Sequence, residues 1–221
     1  TQWGPDRVFL NEGGGGFTEV TETAGLIGKR WGTSCAVLDA DADGNLDLVV
    51  TNYLAFDPAL VKPRGEGCSW KGHDVMCGPE GLVPVHDQLY RGLGDGRFED
   101  MTFAAGFSPE DAGYGLGVVT LDFDGDGKRD LLIGAGDGKI YALRNKGTSD
   151  SLPRFDGASE TTVLTSSIDG RPIVLSGSAS PVALPRMDAL GNPSDAADLS
   201  EGDLFVGQRD GGVTFYCRAS G

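Results

Sequence analysis

From Arg7 onward, short apolar runs alternate with glycine-rich turns. Val8-Phe-Leu-Asn11 is followed by Glu12 and four glycines to Gly16, then by Phe17-Thr-Glu-Val-Thr21. Two β-prone runs around such a turn predict a hairpin. The pattern returns in Asp87-Gln-Leu-Tyr-Arg91, Gly92-Leu-Gly-Asp-Gly96 and Arg97-Phe-Glu-Asp-Met-Thr102, and each copy is followed by an Ala-Gly pair, Ala24-Gly25 and Ala105-Gly106. After each hairpin, a β-prone run leads into an acidic loop: Trp31 to Leu38 before Asp39, and Gly113 to Leu121 before Asp122. Beyond each loop lie Leu46-Asp-Leu-Val-Val50 and Asp130-Leu-Leu-Ile133, continuous enough to be strands buried on both faces. One unit is thus strand, acidic loop, strand, hairpin.

Four antiparallel strands repeating at roughly 80 residues are the size of a propeller blade, so the expected class is all-β, built of such blades. The units run over 1–30 (a hairpin), 31–106, 107–178 and 179–221, as a single partial propeller over 1–221. Within the second, residues 53–86 form a Pro- and Gly-rich insertion, the kind of segment that carries a repeat protein's particular function. In the divergent second half, Lys139 to Arg144 and Gly211 to Cys217 repeat the hairpin's first strand, Glu201 to Gly207 matches Asp130 to Gly134, and Ser180 to Leu184 enters a third loop. That loop, Asp188 to Asp203, is seven residues longer than the other two and lacks their core. It keeps Asp188, Asn192, Asp195, Asp198 and Asp203, a degenerate third ion site at most, and an ion-free loop is the plainer reading.

The 221 residues are 39% apolar, with 36 glycines and 8% aromatics, a composition of many short elements joined by tight turns. A net charge of −15 argues against nucleic acid or an anionic membrane face as partner. No apolar run of about 18 residues offers a membrane span, and the first residues lack a signal-peptide core. A start without Met reads as a processed or trimmed product. Four cysteines stand at 35, 68, 77 and 217. The spacing of Cys68 and Cys77 suits a local disulfide better than zinc, with free thiols the alternative, and favours an oxidising compartment. A long-range bridge between Cys35 and Cys217 is a further option.

Both acidic loops read D-x-D-x-D-G-x-x-D. Carboxylates at alternate positions repel one another unless a hard cation sits among them, and the Gly lets the backbone turn back. The expected calcium ligands are the side chains of Asp39, Asp41, Asp43 and Asp47 with the carbonyl of Asn45, and those of Asp122, Asp124, Asp126 and Asp130 with the carbonyl of Lys128. An EF-hand is excluded, since Val50 and Ile133 stand where its twelfth-position Glu belongs. So many protein oxygens suit calcium better than magnesium, with affinity on the order of 10⁻⁴ to 10⁻³ M or somewhat tighter. The role expected for these ions is structural. Catalytic motifs are lacking: Gly134-Ala-Gly-Asp-Gly138-Lys139 reads as a hairpin turn rather than a phosphate loop, and His73 and His86 read as surface residues. The expectation is no enzyme. Trp70, in a Gly- and Pro-rich context, is the aromatic to consider for ligand binding.

The D-x-D-x-D-G-x-x-D-[LI] loop between strands resembles the FG-GAP and VCBS repeats of the integrin α-subunit propeller. The hairpin text, Leu89-Tyr-Arg91, Gly94-Asp-Gly96 and Phe98-x-Asp-Met-Thr102 with its Ala-Gly pair, is similar to the cartilage acidic protein family and its secreted bacterial relatives. The Cys68-to-Leu82 insertion resembles a bacterial branch of that family. The likeness is good over 7–147 and weak over 148–221. It implies a calcium-binding propeller, commonly of seven blades, secreted to an extracellular or periplasmic space and used for recognition. About half of such a ring is present, so the chain is a fragment of a longer product, or a second copy or partner completes the ring, or the blades form an open arc. The function expected is a module for protein interaction or assembly in a larger complex; the alternatives are a glycan-binding lectin and a noncatalytic part of a larger secreted enzyme.

Overall fold

The computed structural model describes residues 3–26, 28–63, 66–75, 77, 81–147, 152–157, 162–163, 180–184, 203–207 and 213–216. Strand β1 (Trp3–Pro5) precedes the expected N-terminal hairpin, β2 (Phe9–Gly13) and β3 (Gly16–Glu19), whose strands pair antiparallel from Phe9↔Glu19 to Gly13↔Gly16. A single helical turn, Thr21–Ala24, ends at Gly25 in the left-handed conformation.

The first full blade holds β4 (Lys29–Leu38), β5 (Asp47–Asn52), β10 (Gln88–Gly92) and β11 (Phe98–Asp100), all antiparallel, and β1 adds to the start of β4 through Trp3↔Trp31. Between β5 and β10 lies the insertion. It contains β6 (Leu54–Ala55) paired with β9 (Val83–Pro84), and the small hairpin β7 (Ser69–Trp70) and β8 (His73–Asp74). Cys68 and Cys77 are disulfide-bonded across the base of that hairpin, as their spacing led us to expect. Cys35 is an exposed free thiol, and Cys217 lies outside the described residues.

A 3-10 turn at Pro109–Asp111 leads to the second blade, β12 (Gly115–Leu121), β13 (Asp130–Ala135), β14 (Ile140–Leu143) and β15 (Thr162–Val163). The Gly134–Lys139 stretch is its β13–β14 turn, as expected, with Ala135 N–H donating to the Lys139 carbonyl at 3.0 Å. The third sheet is β16 (Ser180–Leu184), β17 (Asp203–Gly207) and β18 (Val213–Tyr216). Its register repeats that of the first two blades: Leu184↔Asp203 stands where Leu38↔Asp47 and Leu121↔Asp130 stand. The long loop at Asp188 to Asp198 lies outside the described residues.

Strand β12 neighbours both β4 and β16, the strands that lead into the loop of each unit. The core lies between blades. One cluster joins Leu38, Val49, Leu89 and Met101 of the first full blade to Val118, Leu131, Ile133, Leu143 and Phe155 of the second. A smaller one joins Val50, Tyr90 and Phe98 to Ala24, Leu26, Val8 and Val20 of the N-terminal hairpin. Val49 and Val50 thus bury on opposite faces of β5, which is why that strand reads as a continuous apolar run.

The Ala-Gly pairs are the joints. Gly25 (φ 82°) and Gly106 (φ 102°) each lie under a carbonyl of the following unit, where an added Cβ would sit 2.8 Å from the oxygen of Phe98 or Phe155. The threonine four residues before each Gly is used identically: Val8 N–H donates to Thr21 Oγ1 at 3.0 Å, and Leu89 N–H to Thr102 Oγ1 at 3.2 Å.

Candidate metal centre

Each acidic loop joins two paired strands of its blade, so β4 with β5 and β12 with β13 fix its ends by antiparallel pairing up to Leu38↔Asp47 and Leu121↔Asp130. The closing aspartates, Asp47 and Asp130, are fully buried. Each pins the loop with both oxygens. Asp47 accepts from Ala40 N–H and Gly92 N–H, both at 2.8 Å; Asp130 accepts from Phe123 N–H and Asn145 N–H, both at 2.7 Å. Burial pushes both carboxyls above the usual range, while these N–H groups pull them back and the neighbouring loop aspartates push further up.

In the first loop, carboxylate oxygens of Asp39, Asp41 and Asp43 lie within 4.8 Å of one another; in the second, those of Asp122, Asp124 and Asp130 do. Backbone N–H groups hold them in place: Asp43 and Gly44 donate to Asp39, and Gly125 and Gly127 to Asp122. The residue donating at the turn is a glycine of positive φ in each case, Gly44 and Gly127, both at 87°. Three convergent carboxylates are a hard-cation donor set, and all-oxygen ligands fit calcium better than zinc. The side chains of Asp47 and Asp126 do not join the three-carboxylate groups. Asp130 joins its group and Asp47 does not, although backbone N–H groups hold both in the same way, and Asp126 turns to Lys128 Nζ at 2.7 Å, which with the Lys128 backbone N–H holds its carboxyl below the usual range. Asn45 and Lys128 occupy the seventh loop position, where a carbonyl ligand is expected.

Sequence reasoning missed the cationic neighbours. Arg91, on β10, spans the first loop, with Nε 2.7 Å from Asp41 Oδ2 and Nη2 2.7 Å from Asp43 Oδ2. The loop therefore already attracts a positive charge. Arg144 holds the same strand position in the second blade but points to Asp156, at 3.0 Å. Asp156 is buried, which alone would raise its carboxyl, yet Lys146 at 2.6 Å and Arg144 hold it low. An arginine at one strand position of both blades was the available signal. Asn145 Nδ2 also donates to the Ala40 carbonyl at 2.8 Å, fastening the first loop to the second blade.

The insertion is held by an aromatic group: Trp31 meets Tyr53 and Phe56 edge-on, Tyr53 meets Tyr114, and Tyr114 OH donates to the Leu82 carbonyl at 2.9 Å. Trp70 lies on β7 of the insertion; its side chain lies outside the described residues. His73 is exposed, and His86 packs on Phe103 with ring centroids 5.2 Å apart.

A family model for FG-GAP-like repeats matches residues 1–50 and 74–133. The break between the stretches falls where the insertion begins. Among curated proteins, the chain is similar to cartilage acidic protein 1 of Mus musculus, with 25% identity over 174 residues. That match covers 63% of this chain and 26% of the relative, so the chain spans about a quarter of that relative's length.

Proposed function

This chain is a domain of FG-GAP-like repeats, and from that premise we propose that it is an extracellular, calcium-stabilised propeller module that binds a protein partner or assembles in a larger complex. The observation that carries the calcium reading is the pair of three-carboxylate groups at the same point of two successive blades. Asp39, Asp41 and Asp43 would hold one ion and Asp122, Asp124 and Asp130 the other. A bound divalent ion supplies charge that offsets carboxylate repulsion and ties the end of one strand to the start of the next. The chain's own part is to aim the oxygens with backbone N–H groups and to keep Asp47 and Asp130 buried. A secreted location agrees with the Cys68–Cys77 disulfide, and no helix among the described residues is long and apolar enough to cross a membrane.

Isothermal titration with calcium, paired with thermal melts in calcium and in chelator, tests this. Two binding events and a higher melting temperature in calcium are expected. A melt that chelator leaves unchanged would remove the structural role. The interaction role is read by affinity capture from the surrounding secretome with and without calcium, where recovery of the same partner only with calcium supports it.

A further inference from the structure

A cavity of about 380 Å³ lies between the two full blades, at the opposite ends of β12 and β13 from the acidic loop. That volume lies within the range of small-ligand sites, roughly 300–1,000 Å³. Its walls are apolar and aromatic: Phe107, Ile133 and Leu143, with Tyr114 and Tyr141. Three carboxylates line it, Asp87, Glu110 and Asp137, and none of its lining residues is Lys, Arg or His. The three are not equivalent. Asp137 is answered by Lys139 Nζ and by Tyr141 OH, each at 2.7 Å. Glu110 is exposed at the mouth. Asp87 is half-buried and wedged at the blade junction, where a Cβ on Gly115 would come within 2.8 Å of its Oδ1. Oδ1 accepts from Asn52 N–H at 2.8 Å, whereas Oδ2 accepts no hydrogen bond among the described residues.

A carboxylate held between apolar walls is costly to ionise without a counter-charge. An anion would be repelled by all three carboxylates, and a neutral apolar guest would leave Asp87 unanswered. A cation on an apolar stem meets both needs, because aromatic faces attract positive charge as well as covering hydrocarbon. We propose that this inter-blade cavity is a binding site for an organic cation, an ammonium or guanidinium carried on an apolar body, with Asp87 as its counter-ion. The same chemistry comes from a free amine or from the lysine or arginine side chain of a partner, and the net charge of −15 favours approach of either. Burial pushes the Asp87 carboxyl up to about 7 against the pull of Asn52 N–H and the Arg30 charge, as befits a group awaiting a partner.

The inference goes beyond the calcium reading and does not depend on it. The test is isothermal titration of the whole chain, in saturating calcium, with phenethylammonium, with the matched neutral 2-phenylethanol, and with a short acetylated, amidated peptide containing one lysine. The expected result is saturable binding of the amine at least about tenfold tighter than of the alcohol, and at least about tenfold loss in Asp87→Asn. That variant keeps an acceptor for Asn52 N–H. Tyr141→Phe, which removes only the hydroxyl that serves Asp137, is expected to bind the amine within about threefold of the parent. A peptide that binds as well as the amine assigns the site to a partner's side chain; a peptide that does not assigns it to a free amine. Equal binding of amine and alcohol, unchanged amine binding in Asp87→Asn, or no binding of any probe overturns the proposal. In all three cases the calcium-dependent melt still reports separately on the loops.

Discussion

Asp87 and Arg91 stand four residues apart on one strand-and-approach and answer to opposite electrostatics. For Asp87, burial is the larger influence, and it raises the carboxyl from the ordinary value of 3.8 to about 7. An acid whose folded value is raised stabilises fully below its unfolded value, and that stability is lost as pH climbs through the folded one. The parent chain should therefore lose stability between pH 5 and pH 8 relative to Asp87→Asn. The interval above pH 5 spans about two of the pH units over which the loss occurs, a ceiling of roughly 2.6 kcal/mol, and partial solvation brings the expected difference to about 1–2 kcal/mol. Denaturant melts of both proteins at the two pH values, at fixed calcium, measure it; parallel profiles would mean that water reaches the carboxylate freely.

Arg91 does the reverse, holding two loop carboxylates that a cation would otherwise claim. Arg91→Ala should leave the metal-free protein about 1–3 kcal/mol less stable, since Asp41 is buried and loses a charged hydrogen bond. Calcium affinity at the first loop should rise, by up to about tenfold, because the ion no longer displaces a guanidinium. Calorimetry on the variant and the parent separates the two loops: only one of the two binding events should move.

At the scale of elements, the joint between blades is the sensitive place, and glycines in two settings show why. Gly96, in the β10–β11 turn, has φ 84° and open space around its missing Cβ, whereas Gly106 combines φ 102° with the Phe155 carbonyl. Gly96→Ala should cost about 1 kcal/mol, the strain of a left-handed alanine. Gly106→Ala should cost about 2–4 kcal/mol, because backbone of the next blade has to give way as well. Thermal melts of the pair decide this, and equal losses would mean that the joint is loose. The disulfide belongs to a different element. Its loop spans a sequence separation of nine and lies within the insertion, whose strands β6 and β9 pair with each other and not with the strands of the blade. Reduction should therefore open the Ser69–Asp74 hairpin to protease while the melt of the blades moves little.

For the whole molecule, the repeat was legible because each unit restates the same local text: turn glycines, an alternating hairpin, a loop of spaced aspartates and an apolar run after it. Even the divergent third sheet keeps Leu184 opposite Asp203, so the match of Glu201–Gly207 to Asp130–Gly134 carried through to pairing. What could not be read was contact between residues far apart in sequence, within one unit or across two. The Arg91 fork, the Asn145 bond to Ala40, the aromatic group on Trp31 and the cavity at Asp87 all join residues about 20 to 105 positions apart, with no periodicity to announce them. The added strand β1 was missed for a related reason: a three-residue run holding Gly and Pro gives little β signal by itself, and the strand is defined by its pairing with the start of β4. A cation held in the first loop would act at this same scale, because Asn145 of the second blade grips that loop. Neutralising that loop alone, with Asp39→Asn and Asp43→Asn, should loosen contact between the blades as well as the loop, seen as faster amide exchange in both β5 and β13.

The seating of each Ala-Gly joint under a carbonyl of the unit after it gives the assembly a direction. At each joint the glycine of one unit tucks under a carbonyl of its successor, like shingles laid one way. Removing a successor strips the cover from the joint before it. Wear on such an array should run backwards along the chain, one whole unit at a time, and each step should leave a remainder that ends just after an Ala-Gly pair.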